Sequence, residues 1–148
     1  MAHLKVLALL AIAVAAQAAE HEWTQIPATS TKIHLGSIRK VATNEFEVWE
    51  RVIYSESVLE YVRSQGHGAE YADYAYTTAL IRIKCDTKTY GTLKATNYNS
   101  RGDPLAPPAV VSKEKFQMEA VSPGTSIDIV LDFACSHIKR NVPGNKRR

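Results

Sequence analysis

The fold turns on the stretch SPGTSIDIVLDFAC, Ser122–Cys135: a helix here makes the chain α+β, and a final strand makes it all β. Ile127, Val130, Leu131 and Ala134 recur at helical spacing, and Cys135 follows on the same side. Ser122-Pro123-Gly124-Thr125-Ser126 supplies a turn and hydroxyl N-cap candidates, and Asp128 suits the positive end of a helix dipole. Ile, Val and Phe also favour sheets, which keeps the strand alternative open. The run Ile129-Val130-Leu131 breaks the alternation a half-buried strand needs, so we read a helix.

Working outward, TTALIRIKC at residues 77–85 alternates Ala79, Ile81, Ile83 and Cys85 with Thr78, Leu80, Arg82 and Lys84, the period of a strand with one buried face. Cys85 points inward with the apolar set. Ahead of it come a short strand around Trp23, a break at Pro27, a strand near Ile33, and a hairpin in which ATNE separates GSIRKV from FEVWERVIY. Val58, Leu59 and Val62 mark a helical turn that ends at Gly66-His67-Gly68, followed by an exposed loop. After Cys85, DTKT leads to a second hairpin strand, YGTLKATNY. NSRGDPLAPP is turn-rich, and Lys113–Val121 forms a short strand or helix before the Ser122 turn. The sum is an α+β domain: a single antiparallel sheet packed with a C-terminal helix and stapled by one disulfide.

The compartment follows from the first residues. Val6 to Ala16 is an apolar run behind a weakly positive start, and Ala16-Gln17-Ala18 offers a small-x-small cleavage pattern, so residues 1–18 read as a signal peptide. The run is shorter than the roughly 20 residues of a membrane span. The protein is therefore expected to be exported, to the periplasm, cell surface or beyond, with no transmembrane segment after cleavage. With no cysteine near the cleavage site, lipid anchoring is not expected. In that compartment Cys85 and Cys135 read by default as a disulfide. Thiol or metal chemistry stands as the alternative, although no histidine sits at a ligand spacing from either cysteine and there is no C-x-x-C. The domain is expected to span residues 19–135, ahead of a basic, disordered tail at 136–148.

Charge is asymmetric. Ala19–Cys135 holds 12 basic against 15 acidic residues, whereas Lys139, Arg140, Lys146, Arg147 and Arg148 follow with no acid among them. These five are candidates for contact with an anionic surface, or are a solvated end. Nucleic acid is an unsuitable partner for an exported, mildly acidic body. Arg101-Gly102-Asp103 sits in a turn, where it is either a displayed recognition tripeptide or simply turn chemistry. Tyr61, Tyr71, Tyr74 and Tyr76 cluster around the Gly66 break, as a contact surface or as rings covering the sheet. Tyr71, Tyr74, Arg101 and Asp103 are the candidate binding residues.

No nucleophile with a base, paired acids, phosphate loop or metal cluster stands out, and the acids alternate with bases on presumed strand surfaces. No enzyme, cofactor or metal is expected.

EWTQI, SIRK, FEVWERV, LIRIKCD, YNSRG, SPGTS and the last cysteine, in that order, resemble the surface-adhesin protein E family of Gram-negative bacteria. The matching positions are Trp23, Ser37, Ile38, Val48, Trp49, Cys85, Tyr98, Gly102, Pro123 and Cys135. The resemblance implies a small antiparallel sheet with a helix, one disulfide, no enzyme, no cofactor, and binding of host extracellular-matrix and serum proteins. The family's namesake is a lipoprotein, and this chain departs from it by lacking a lipid-accepting cysteine. Residues Ile33-His34-Leu35-Gly36 stand where aromatic and acidic residues often precede the family's SI motif. The expected function is a non-catalytic, surface-adhesin-like binding module. The alternative is a periplasmic structural or envelope-stress protein that meets no host ligand.

Overall fold

The computed structural model describes residues 22–66 and 71–141; the expected signal peptide lies outside them. Eight strands run β1 Trp23–Gln25, β2 Thr31–His34, β3 Arg39–Ala42, β4 Glu45–Ile53, β5 Tyr74–Lys84, β6 Thr89–Asn99, β7 Ala109–Val110 and β8 Glu119–Ala120. Among these residues the α-helices are α1, Glu56–Ser64, and α2, Ser126–Asn141.

All strands belong to one antiparallel sheet, ordered β1-β2-β4-β5-β6-β7, with β3 sharing the β2 side of β4 and β8 the β7 side of β6. The long strands β4, β5 and β6 form its centre, in registers such as Val48 opposite Ile81 and Ile83 opposite Tyr90. The ATNE turn is tight, with Asn44 in the left-handed region at φ 59°, a conformation asparagine tolerates.

Helix α2 lies on one face of this sheet. Val130, Leu131, Ala134 and Ile138 form its buried stripe, meeting Ile33, Phe46, Val48, Ala79, Ile81 and Ile83 in one core. Its start is built as the sequence suggested. The Asp128 N–H donates to Thr125 Oγ1 at 3.3 Å, and Asp128 Oδ2 accepts from the Gly124 N–H at 2.9 Å, so two exposed backbone donors are satisfied reciprocally. Lys88, in the β5–β6 turn, ion-pairs with Asp128 and Asp132 and ties that turn to the helix. Cys85 and Cys135 are joined in a disulfide with Cα atoms 5.7 Å apart, both packed against the core.

The helix does not stop at Cys135. It continues to Asn141 and buries Ile138 completely, so the expected domain boundary falls inside it. Lys139 and Arg140 stand on its last turn, whereas Lys146, Arg147 and Arg148 lie outside the described residues. Lys113–Val121 contributes only the two-residue β8.

Candidate binding face

Strand alternation sends every second side chain away from α2. On β4 these are Glu47, Trp49, Arg51 and Ile53; on β5 they include Thr78, Leu80 and Arg82. Lys94 and Thr96 on β6 share this face through their register with Leu80 and Thr78. No helix covers this side among the described residues, and a chain of rings and one guanidinium crosses it.

Trp23 meets His34 edge-on at 5.5 Å between ring centroids. The Arg51 guanidinium lies 4.5 Å from the Trp23 ring and 5.0 Å from the Tyr76 ring. Tyr76 in turn stacks on Tyr98 at 5.0 Å with an interplanar angle of 11°. Five strands thus contribute to one continuous strip, in which a cation held between two π faces is favourably placed.

Beside the strip, Trp49, Thr78, Lys94 and Thr96 floor a cavity of about 550 Å³ walled by Pro104, Ala106, Pro107 and Pro108. The wall is fixed by backbone bonds: the Leu105 N–H donates to the Asn97 carbonyl at 2.9 Å and the Val111 N–H to the Leu93 carbonyl at 2.9 Å. Further along, Glu47 is buried and paired with Arg39 and Arg82. Burial raises the cost of its charge, but the two guanidiniums outweigh that and hold its carboxyl below the ordinary range. Arg82 also lies beneath the Phe116 ring at 5.2 Å. The segment carrying Phe116 approaches so closely that a Cβ on Gly91 would stand 2.6 Å from the Gln117 carbonyl oxygen. Only glycine fits there.

The two loop candidates, far apart in sequence, meet at one end of the sheet. Tyr74 is in register with Asn99, and the Ser100 hydroxyl donates to Asp73 Oδ2 at 2.8 Å. Asn99 organises the Arg101-Gly102-Asp103 turn. Its Oδ1 accepts from the N–H groups of Arg101 at 3.0 Å and Asp103 at 2.9 Å, an Asx-type turn. Arg101 Nε lies 3.4 Å from Asp103 Oδ2, with the two side chains 78% and 64% exposed. The charged groups therefore close on each other across a braced turn.

Of the tyrosines, Tyr71 is half-buried and Tyr74 only 6% exposed. Tyr74 packs against Tyr54 and Tyr71, and its hydroxyl is bonded to Thr77 and Asn97. For Tyr74, covering the sheet is the role the structure gives. Lys139 and Arg140 sit on the helix layer, away from the strip.

Trp23, Arg51, Tyr76 and Tyr98 were not singled out as a group from the sequence. The available signal was the alternation in FEVWERVIY, which already puts Trp49 and Arg51 on one face. Glu50 was also missed: it falls on the helix-facing side of β4, against the expectation that acids sit on strand surfaces. Among the described residues no group of three or more His, Cys, Asp or Glu is arranged to hold a metal, and no helix is long and apolar enough to cross a membrane.

A model of the surface-adhesin protein E family matches residues 23–136. Solved structures of Haemophilus influenzae protein E share the fold. Crystal form II has a TM-score of 0.53 at 12% identity, over 78% of this chain and 88% of that one. The selenomethionine form has a TM-score of 0.54 at 12% identity, over 78% and 86%. Protein E from a non-typeable strain gives 0.52 at 12% identity, over 81% and 79%. No curated protein matches the chain. With more than half of its length matched by the family model, from the strip's Trp23 to beyond the disulfide's Cys135, the chain belongs to the surface-adhesin protein E family.

Proposed function

We propose that this chain is an exported, non-catalytic binding module that engages a host extracellular-matrix or serum protein through the sheet face opposite α2. The observation that carries the reading is the Trp23–Arg51–Tyr76–Tyr98 strip. It presents aromatic rings and a guanidinium, the residue types enriched where binding energy concentrates, on an already rigid sheet. The proline-walled cavity at Trp49 gives a partner side chain a place to insert, while Tyr71, Arg101 and Asp103 extend the surface at one end. The family supports adhesion as the class of activity.

The test is binding of the oxidised protein to immobilised extracellular-matrix and serum proteins, with Arg51→Ala and Tyr98→Ala as strip variants and Lys139→Ala/Arg140→Ala as the helix-layer control. Loss of at least tenfold in affinity for the strip variants alone supports the reading. Equal binding by all variants overturns it. Protease treatment of intact cells completes the test: cleavage places the face outside, and protection until the outer membrane is opened moves the protein to the periplasmic alternative.

A further inference from the structure

On the other side of the sheet, between the start of α2, the end of β4 and α1, lies a second cavity of about 440 Å³. Its size is typical of small-molecule sites. Glu50 contributes its one carboxylate. The hydroxyl-bearing residues Tyr54, Tyr90 and Ser126 and the apolar Val52, Val58 and Ile127 share the lining, and no Lys, Arg or His is among the described residues there.

The Glu50 carboxylate has no hydrogen bond or ion pair among the described residues, in contrast to that of Glu47, three residues earlier, which holds two arginines. Its neighbours in register are apolar, Ile33 on β2 and Ala79 on β5. Among the described residues, the other titratable side chains lining the cavity are those of Tyr54 and Tyr90. On the helix, Asp128, next in sequence to the lining residue Ile127, is already engaged by Lys88 and the Gly124 N–H. Glu50 is partly buried, an unpaired carboxylate withdrawn from water is costly, and burial alone pushes its pKa up to about 7. A cationic ligand relieves that cost.

We propose that this cavity binds an aliphatic primary ammonium, with Glu50 as counter-ion. The neighbouring hydroxyl oxygens accept the remaining N–H bonds, and Val52, Val58 and Ile127 hold the methylene chain. The chemistry narrows the ligand. A carboxylate facing apolar walls disfavours anions, a single carboxylate is a poor site for a divalent cation, and an ammonium supplies three donors to a lining rich in acceptors.

The test is an amide NMR titration of the oxidised protein with n-butylammonium at constant ionic strength, at pH 8 and pH 5, with 1-butanol as the uncharged isostere. Expected are saturable shifts at Val52, Tyr54, Val58 and Ile127, at least tenfold weaker binding at pH 5, and at least tenfold weaker binding by Glu50→Gln at pH 8. The carbon-detected titration of Glu50 itself is expected to move to lower pH as the amine saturates, which a merely structural carboxylate does not do. Nα-acetyl-lysine methylamide separates two sources of the same group: equal binding points to a lysine of a partner protein, and binding of n-butylammonium alone to a free amine. Shifts that do not saturate, equal binding by 1-butanol, or undiminished binding by folded Glu50→Gln overturn the proposal. Val58→Phe, which narrows the mouth from an exposed position, provides a second variant expected to weaken binding; unchanged affinity in it counts against the site.

Discussion

Replacing Glu50 by glutamine is expected to stabilise the protein, in proportion to pH. In the unfolded chain Glu50 titrates near its ordinary 4.5, and in the folded protein burial raises it to about 7. Below 4.5 both states hold the proton and the side chain adds no pH-dependent cost. Between 4.5 and 7 the folded state binds more protons than the unfolded, so stability falls as pH rises; above 7 the penalty is fully present. At about 1.4 kcal/mol per pKa unit the shift corresponds to about 3 kcal/mol. Glu47 has the opposite sign. Its folded pKa is held down by Arg39 and Arg82, so its contribution is present above the unfolded carboxylate range and is lost as pH falls through the folded value. The natural protein's stability profile contains both effects, and the difference between it and Glu50→Gln isolates the first. In urea unfolding at an m value of about 2 kcal/mol per M, the variant's midpoint is expected to be about 1.5 M higher at pH 8 and nearly unchanged at pH 4. A difference that is constant with pH, or a variant less stable at pH 8, refutes the reasoning that Glu50 is an unpaired, partly buried charge. The same substitution is expected to raise stability and weaken amine binding at least tenfold, a pairing typical of a group kept for function at a cost in stability.

Replacing Cys85 and Cys135 together by serine opens a loop of 50 residues and is expected to cost about 4 kcal/mol on the chain-entropy account; an unchanged melting temperature under oxidising conditions removes the staple argument. Ile138→Ala is expected to cost about 3 kcal/mol in denaturant unfolding, whereas Lys139→Ala, on an exposed position of the same turn, changes stability by less than about 0.5 kcal/mol; equal effects show that the helix end does not pack as described. Gly91→Val drives a side chain into Phe116 and Gln117 and is expected to cost about 1–3 kcal/mol and to open residues 112–118 to limited proteolysis while amide protection in β5 persists; full protection of that segment counts against the close approach.

Local pattern carried much of the architecture. Alternation over residues 77–85 placed Ile81, Ile83 and Cys85 on one face, helical spacing placed Val130, Leu131 and Ala134 on another, and the expected export made a disulfide between the two cysteines the default. The first two depend on neighbours within one or two turns of chain, which is the range a sequence displays directly, and the third on the compartment expected from residues 1–18. The end of α2 was less visible, because Lys139, Arg140 and the downstream basic residues suggest a solvated tail while a single buried Ile138 extends the core. The half-buried strip was only partly legible. Alternation assigns Trp49 and Arg51 to one side of β4, but strand order is needed to bring Trp23, Tyr76 and Tyr98 alongside Arg51.

Sequence by itself determined the element types, the two-faced strands, the stapling cysteines and the membership that their order suggested. Tertiary structure alone decided which face α2 covers, that Tyr74 is packed inside, that the Arg101-Gly102-Asp103 turn meets the tyrosine segment, and that Glu50 faces a cavity without a partner. The physical reason is one of range. Periodicity fixes the side of a strand on which a residue stands, whereas burial, pairing and charge state depend on what distant segments place opposite it.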